Sequence, residues 1–214
     1  MKQFLLKCMT LAATIGFIAN VHADISLLDV QHRWAKINYE MEDDAQIEAF
    51  KALIADIETH LTTNAEDVDL LIWRGISKST LAGAEGGLGA LSIAEEAKES
   101  LEQAMAIDDK ALDGSAYTSL ATLYHNVPGW PLGFGSDKKA KELFKKAIEI
   151  NPKGIDPNYF YAEFFYNERK YKSALKYLER AQSAEPRPDR PLADAGRRQE
   201  IERLLSKVNK KLRR

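Results

Sequence analysis

The sequence holds one cysteine, Cys8, inside its apolar start. Everything after it lacks thiols, which excludes a disulfide framework, a thiolate metal site and a cysteine nucleophile there. Histidine is nearly as scarce. Of four, His32, His60 and His125 lie beyond residue 23, and no two stand at i,i+3 or i,i+4. No helix can therefore offer two imidazoles to a metal from one face. A nucleophile elbow, a zincin motif and a Walker loop are all missing. No catalytic residue, metal or cofactor is expected, and the chain does not read as an enzyme. It also lacks an excess of base: 30 Lys+Arg face 32 Asp+Glu, for a net charge of -2. That balance argues against a nucleic-acid partner. Nor is any apolar run long enough to span a bilayer; "CMTLAATIGFIA", 8–19, covers only twelve residues.

What remains is 45% hydrophobic and 29% charged, the composition of a folded, soluble domain. The first 23 residues differ from the rest. Lys2 and Lys7 precede the short apolar run, and "NVHA" then sets Val21 and Ala23 at the -3 and -1 positions of a cleavage site. Residues 1–23 read as a signal peptide, with Asp24 as the new N-terminus and the periplasm as the destination. Cys8 is preceded by Lys7 and followed by the apolar run, the reverse of a lipobox, so no lipid anchor is expected. Loss of the two lysines makes the exported chain more acidic.

The remaining sequence repeats itself. "AKESLEQAMAID" (97–108), "AKELFKKAIEIN" (140–151) and "ALKYLERAQSAE" (174–185) share one pattern of small, large and small residues. The triplets are Ala97/Leu101/Ala104, Ala140/Phe144/Ala147 and Ala174/Leu178/Ala181. Small residues at this spacing let a neighbouring helix come close, and the large one fills the gap between them. Pro152 and Pro186 stop two of these helices. This resembles the second helix of a tetratricopeptide repeat. Ala162, Ala121 and Gly75 stand where the first helix of that repeat carries a small residue. A divergent first repeat starts near Leu27, with Asp44 as a helix N-cap and His60 in its small-residue slot. The expected fold is an all-α, tetratricopeptide-like solenoid of four helical hairpins over 24–191. An amphipathic capping helix, 192–214, follows, with Ile201, Leu204, Leu205, Val208 and Leu212 as its apolar stripe.

The period is uneven. Asn151 to Glu185 spans 34 residues, but Asp108 to Asn151 spans 43 and Asn64 to Asp108 spans 44. Two repeats thus carry roughly ten extra residues each, expected at the turn between their helices: "GAEGGLGALS" (83–92) and "VPGWPLGFGS" (127–136). Insertions on one edge of a solenoid often build its binding face. The second insert brings Trp130 and Phe134, either as a lid beside a ligand or as a seal over the groove. In such solenoids the first helix of each pair lines the concave side. That assigns Ser79, Thr80, Ser115, Thr118, Thr122, His125 and Asn126 to the groove, followed by Tyr159, Glu163, Tyr166 and Asn167. Hydroxyls, amides and tyrosines suit a peptide backbone or a polar small molecule. Tyr161, Phe164, Phe165 and Tyr171 are expected in the core. The basic end of the last helix reads as a solvated face with cations near a helix C-terminus.

"YHNVPGWPLGFGSDKKAKELFKKAIEINPKGIDPNYFYAEF" and "RPDRPLADAGRRQEIERLL" carry a narrower resemblance. They are similar to bacterial periplasmic tetratricopeptide proteins related to the T component of TRAP transporters, over about 70–205. The resemblance implies an all-helical solenoid that binds or scaffolds around a periplasmic solute-binding protein, in some members as a trimer with a central pore. It implies no catalytic residues. The expected function is that of an exported binding or scaffold protein, acting on a periplasmic protein partner through its concave face and the 127–136 loop. The alternative is a ligand-binding accessory component of a solute transport system, holding a small molecule. A homo-oligomer belongs to either picture.

Overall fold

The computed structural model describes residues 25–87 and 89–213; the signal-peptide reading lies outside them. Among the described residues there are nine helices and no strand. They are α1 (Leu27–Glu40), α2 (Asp43–Leu61), α3 (Val68–Glu85), α4 (Gly89–Ile107), α5 (Ala111–Asn126), α6 (Asp137–Ile150), α7 (Ile155–Asn167), α8 (Tyr171–Gln182) and α9 (Pro191–Leu212). Consecutive helices pack as the antiparallel hairpins α1–α2, α3–α4, α5–α6 and α7–α8, and the first helices of adjoining hairpins touch. This is the expected tetratricopeptide-like solenoid.

The packing code is the one the repeat implied. All nine residues of the three triplets are buried. Small partners face large ones: a Cβ added to Gly75 would lie 2.6 Å from Leu101 Cγ. Ala121 and Ala162 are fully buried at the matching places of α5 and α7. Tyr161, Phe164 and Phe165 are buried too, and Tyr171 packs half-buried against that core. Tyr161 stacks on Phe144 with centroids 5.2 Å apart.

Two expectations need correction. The glycine-rich stretch 83–92 is not a long loop. Its ends are helical, and only the turn after Glu85 breaks the hairpin, at Gly86 (φ 61°) and Gly87 (φ 66°). The extra residues lengthen α3 and α4 to 18 and 19 residues, because Ala and Leu in that stretch favour helix over turn. The α2 cap is Glu42, not Asp44, which sits in the first turn, where an acidic side chain still complements the helix dipole. Asp194, in the first turn of α9, is buried.

The last helix does more than cap an end. It packs on α8, as a cap should, but also on α7 and on α1 at the far end of the chain. His32 Nε2 donates to the Asp189 carbonyl at 2.6 Å, just before α9. The Tyr39 ring lies so close over Gly196 that a Cβ there would collide with it. First and last elements thus meet, and the concave side becomes an interior.

Candidate functional site

Two adjoining chambers lie in that interior. The smaller, of about 110 Å³, is walled by Trp34 and Tyr39 of α1 and by Ile76 and Thr80 of α3; Thr122 of α5 and Phe160 of α7 complete it. The larger, of about 350 Å³, runs outward past Asp113, Lys153 and Glu185. Trp73, Ser115, Thr118, Asp156, Arg187 and Arg190 border both. First helices line the cavity, as repeat geometry requires. The aromatic walls and the segment 187–197 are additions that a repeat pattern could not show.

The polar centre is a network of charge. Asp156 accepts from Arg187 Nη1 at 2.6 Å and from Arg197 Nε at 2.9 Å. Asp194 accepts from the Arg187 backbone N–H at 2.7 Å and from its Nε at 2.6 Å. Arg197 also pairs with Glu200 and stacks on Tyr159 and Phe160, 4.6 and 4.4 Å from the ring centres. Burial alone would raise the pKa of Asp156, but Arg197, Arg187 and Arg190 outweigh it and hold the carboxyl well below the usual carboxylate range. Burial pushes the Tyr39 phenol up to about 12. Burial likewise raises the Glu163 carboxyl.

Arg190 differs from its neighbours. Its guanidinium lies over the Trp73 indole at 5.1 Å. Its Nε is buried without an acceptor, and so is Trp73 Nε1. Among the described residues no carboxylate stands within ion-pairing distance of Arg190; those nearby are taken by Arg187 and Arg197. Burial and then Arg187 lower its pKa.

The expected groove residues divide into three groups. Ser79, Thr80, Ser115, Thr118 and Thr122 do line the cavity. Thr80 accepts from Trp34 Nε1 at 3.2 Å, and Thr122 donates to the Thr118 carbonyl at 2.9 Å. Tyr159 is buried beneath Arg197, its hydroxyl 3.5 Å from Glu163 Oε1. The rest lie outside the chambers. His125 bonds Asp137 Oδ1 through Nδ1 at 2.8 Å and Asn167 Nδ2 through Nε2 at 3.0 Å, with its ring against Phe164. Tyr166 packs on Tyr171, and Asn126 is exposed.

The 127–136 loop stands apart from the cavity. It is pinned at both ends. Phe134 meets the Tyr124 ring edge-on at 5.4 Å, the Ser136 N–H donates to the Tyr124 carbonyl at 2.7 Å, and the Gly135 N–H donates to the Pro128 carbonyl at 2.9 Å. Gly133 fits between the Pro128 carbonyl and the Leu91 side chain of α4, so the loop touches the other lengthened segment. Its tip points outward: Trp130 is 91% exposed and Leu132 73% exposed. Phe134 is thus a seal, and Trp130 is not a lid over the chambers.

Fold and interior together define a helical-hairpin repeat protein closed by its own C-terminal helix. The tetratricopeptide repeat model matches residues 138–200, which span α6 to α8 and the start of α9. No curated protein matches the sequence. Among solved structures, one described as the crystal structure of MamA protein is similar at TM-score 0.46 and 17% identity, over 86% of this chain and 92% of that one. No helix among the described residues is long and apolar enough to cross a membrane.

Proposed function

We propose that the protein is an exported binding or scaffold module that docks a periplasmic protein partner through the tip of its 127–136 loop. The exposure of Trp130 and Leu132 on a pinned loop carries this reading. Isolated exposed apolar residues are common, but a Trp held outward on an ordered stalk is the kind of anchor that dominates protein interfaces. The tetratricopeptide match over 138–200 supports a partner that is itself a protein. Export rests on the pattern of 1–23.

A photoreactive residue at position 130, with a control at exposed Lys207 on α9, tests the reading in the periplasm. One protein species should crosslink at 130 and not at 207. Purified, it should bind the wild-type chain, and Trp130→Ala should weaken that binding at least about tenfold. No adduct at 130, or undiminished binding by the variant, would refute it.

A second reading is favoured by the interior cavity: an accessory component that holds a small solute for a TRAP-type transport system. Native mass spectrometry before and after denaturation tests it. A mass excess lost on denaturation is the expected result, and the native mass also counts the subunits.

A further inference from the structure

We infer that the central cavity is a binding site for a small organic oxyanion, with the charge met by Arg190 and the apolar body by the aromatic walls. This rests on the solute-holding reading and names the chemistry of the solute; it is independent of the docking loop.

Three observations carry it. The first is the charge census at the centre. Arg187 and Arg197 spend their guanidinium groups on Asp156, Asp194 and Glu200. Among their buried nitrogens only Arg187 Nη2 is left without a hydrogen bond, and it lies 2.6 Å from Asp194 Oδ1. Arg190 borders the same chambers with no carboxylate of its own. Arg190 is half-buried, and shutting its Nε–H off from water without an acceptor is costly; the indole face beneath the guanidinium offsets only part of that cost.

The second is the donor set. Arg190 Nε and Trp73 Nε1 are both buried without acceptors, and both side chains border both chambers. Orphaned buried donors in native proteins call for a partner. The chamber walls add the hydroxyls of Ser115 and Thr118 between them. A planar fork plus hydroxyl donors matches an oxyanion, since Arg binds carboxylate or phosphate through two parallel hydrogen bonds.

The third is the shape and lining. The small chamber, at about 110 Å³, is bounded by Trp34, Tyr39, Trp73, Ile76 and Phe160. An inorganic ion would leave these surfaces unused. For comparison, an apolar cavity of about 150 Å³ holds a benzene-sized molecule. The small chamber is smaller than that, so a ring of this size fills it only by extending across the shared wall into the larger one, where its charged group meets Arg190. The larger chamber supplies the approach, with Lys153 among its outer residues beside Asp113 and Glu185.

The test uses the full exported chain and intrinsic tryptophan fluorescence, because Trp34 and Trp73 both border the small chamber. Benzoate and phenyl phosphate are the anionic probes. Benzamide is the neutral isostere, and inorganic phosphate is the anion without an apolar body. The expected result is a saturable response to at least one anionic probe, at least about tenfold tighter than to benzamide or inorganic phosphate. Arg190→Gln should abolish that preference, and Arg190→Lys should retain part of it, with folding of each checked by circular dichroism. Surface Arg203→Gln should bind like the wild type. Equal binding of benzamide and benzoate would overturn the oxyanion assignment and leave the solute-holding reading standing. Equal binding of inorganic phosphate would overturn the organic body. No response to any probe up to about 10 mM, together with an unchanged native mass, would sink both readings.

Discussion

Asp156 is where one residue decides most. It holds Arg187 and Arg197 at once, so it ties the segment before α9, and α9 itself, to the start of α7. Asp156→Asn would leave two guanidinium groups short of a partner in a half-buried setting and should destabilise the fold by about 3 kcal/mol, read from chemical denaturation. The same group sets an acid limit. Its folded-state pKa is depressed, so its contribution is complete above the unfolded value of about 3.9 and is lost as pH falls toward the folded value. Wild-type unfolding free energy should drop below about pH 4, and the drop should be shallower in Asp156→Asn. Equal slopes in the two proteins would remove Asp156 from the account.

At the scale of elements, the 127–136 loop divides into a part that packs and a part that does not. Phe134 seals against Tyr124, and Lys98 of α4 lies over its outer side at 5.8 Å from the ring centre. Trp130 touches almost nothing. Phe134→Ala should therefore cost about 2 kcal/mol, and Trp130→Ala less than about 0.5 kcal/mol, both by thermal or denaturant unfolding. A large loss from Trp130→Ala would mean that the tip serves the fold rather than a partner. The repeating helices were legible in the sequence because Ala, Leu and Phe at fixed spacing are a local pattern, and each triplet is buried where it was expected. The hydroxyl wall of α3 and α5 was legible for the same reason. Trp34, Trp73 and Arg190 were not assigned to the site. Trp34 and Trp73 meet through the packing of α1 on α3, between repeats. Arg190 joins them only because α9 returns to α1, and no periodicity within one repeat encodes a contact between the two ends. His125 fell the other way: its place on α5 suited the groove, but Asp137 and Asn167 draw its ring to the loop side.

Over the whole molecule, closure changes what kind of solenoid this is. An open repeat array couples each unit only to its neighbours, so its ends fray independently. Here α9 joins α1 and α7, and the Asp189 carbonyl accepts from His32 of α1. The ends are therefore coupled through space, and the cavity exists only while they meet. Gly196 marks the closest approach, with the Tyr39 ring occupying the space a side chain would need. Gly196→Val would force that ring or α9 aside, an overpacking change costing about 1–3 kcal/mol. The informative measurement is native-state hydrogen exchange. In the wild type, α1 and α9 should open together at one free energy. In Gly196→Val both should lose protection by the same amount, while α5 and α6, which have no helix contact with α9, keep theirs. Loss of protection in α9 alone, with α1 unchanged, would show that the α1–α2 hairpin holds itself and that the interior is covered by α9 without being closed by it.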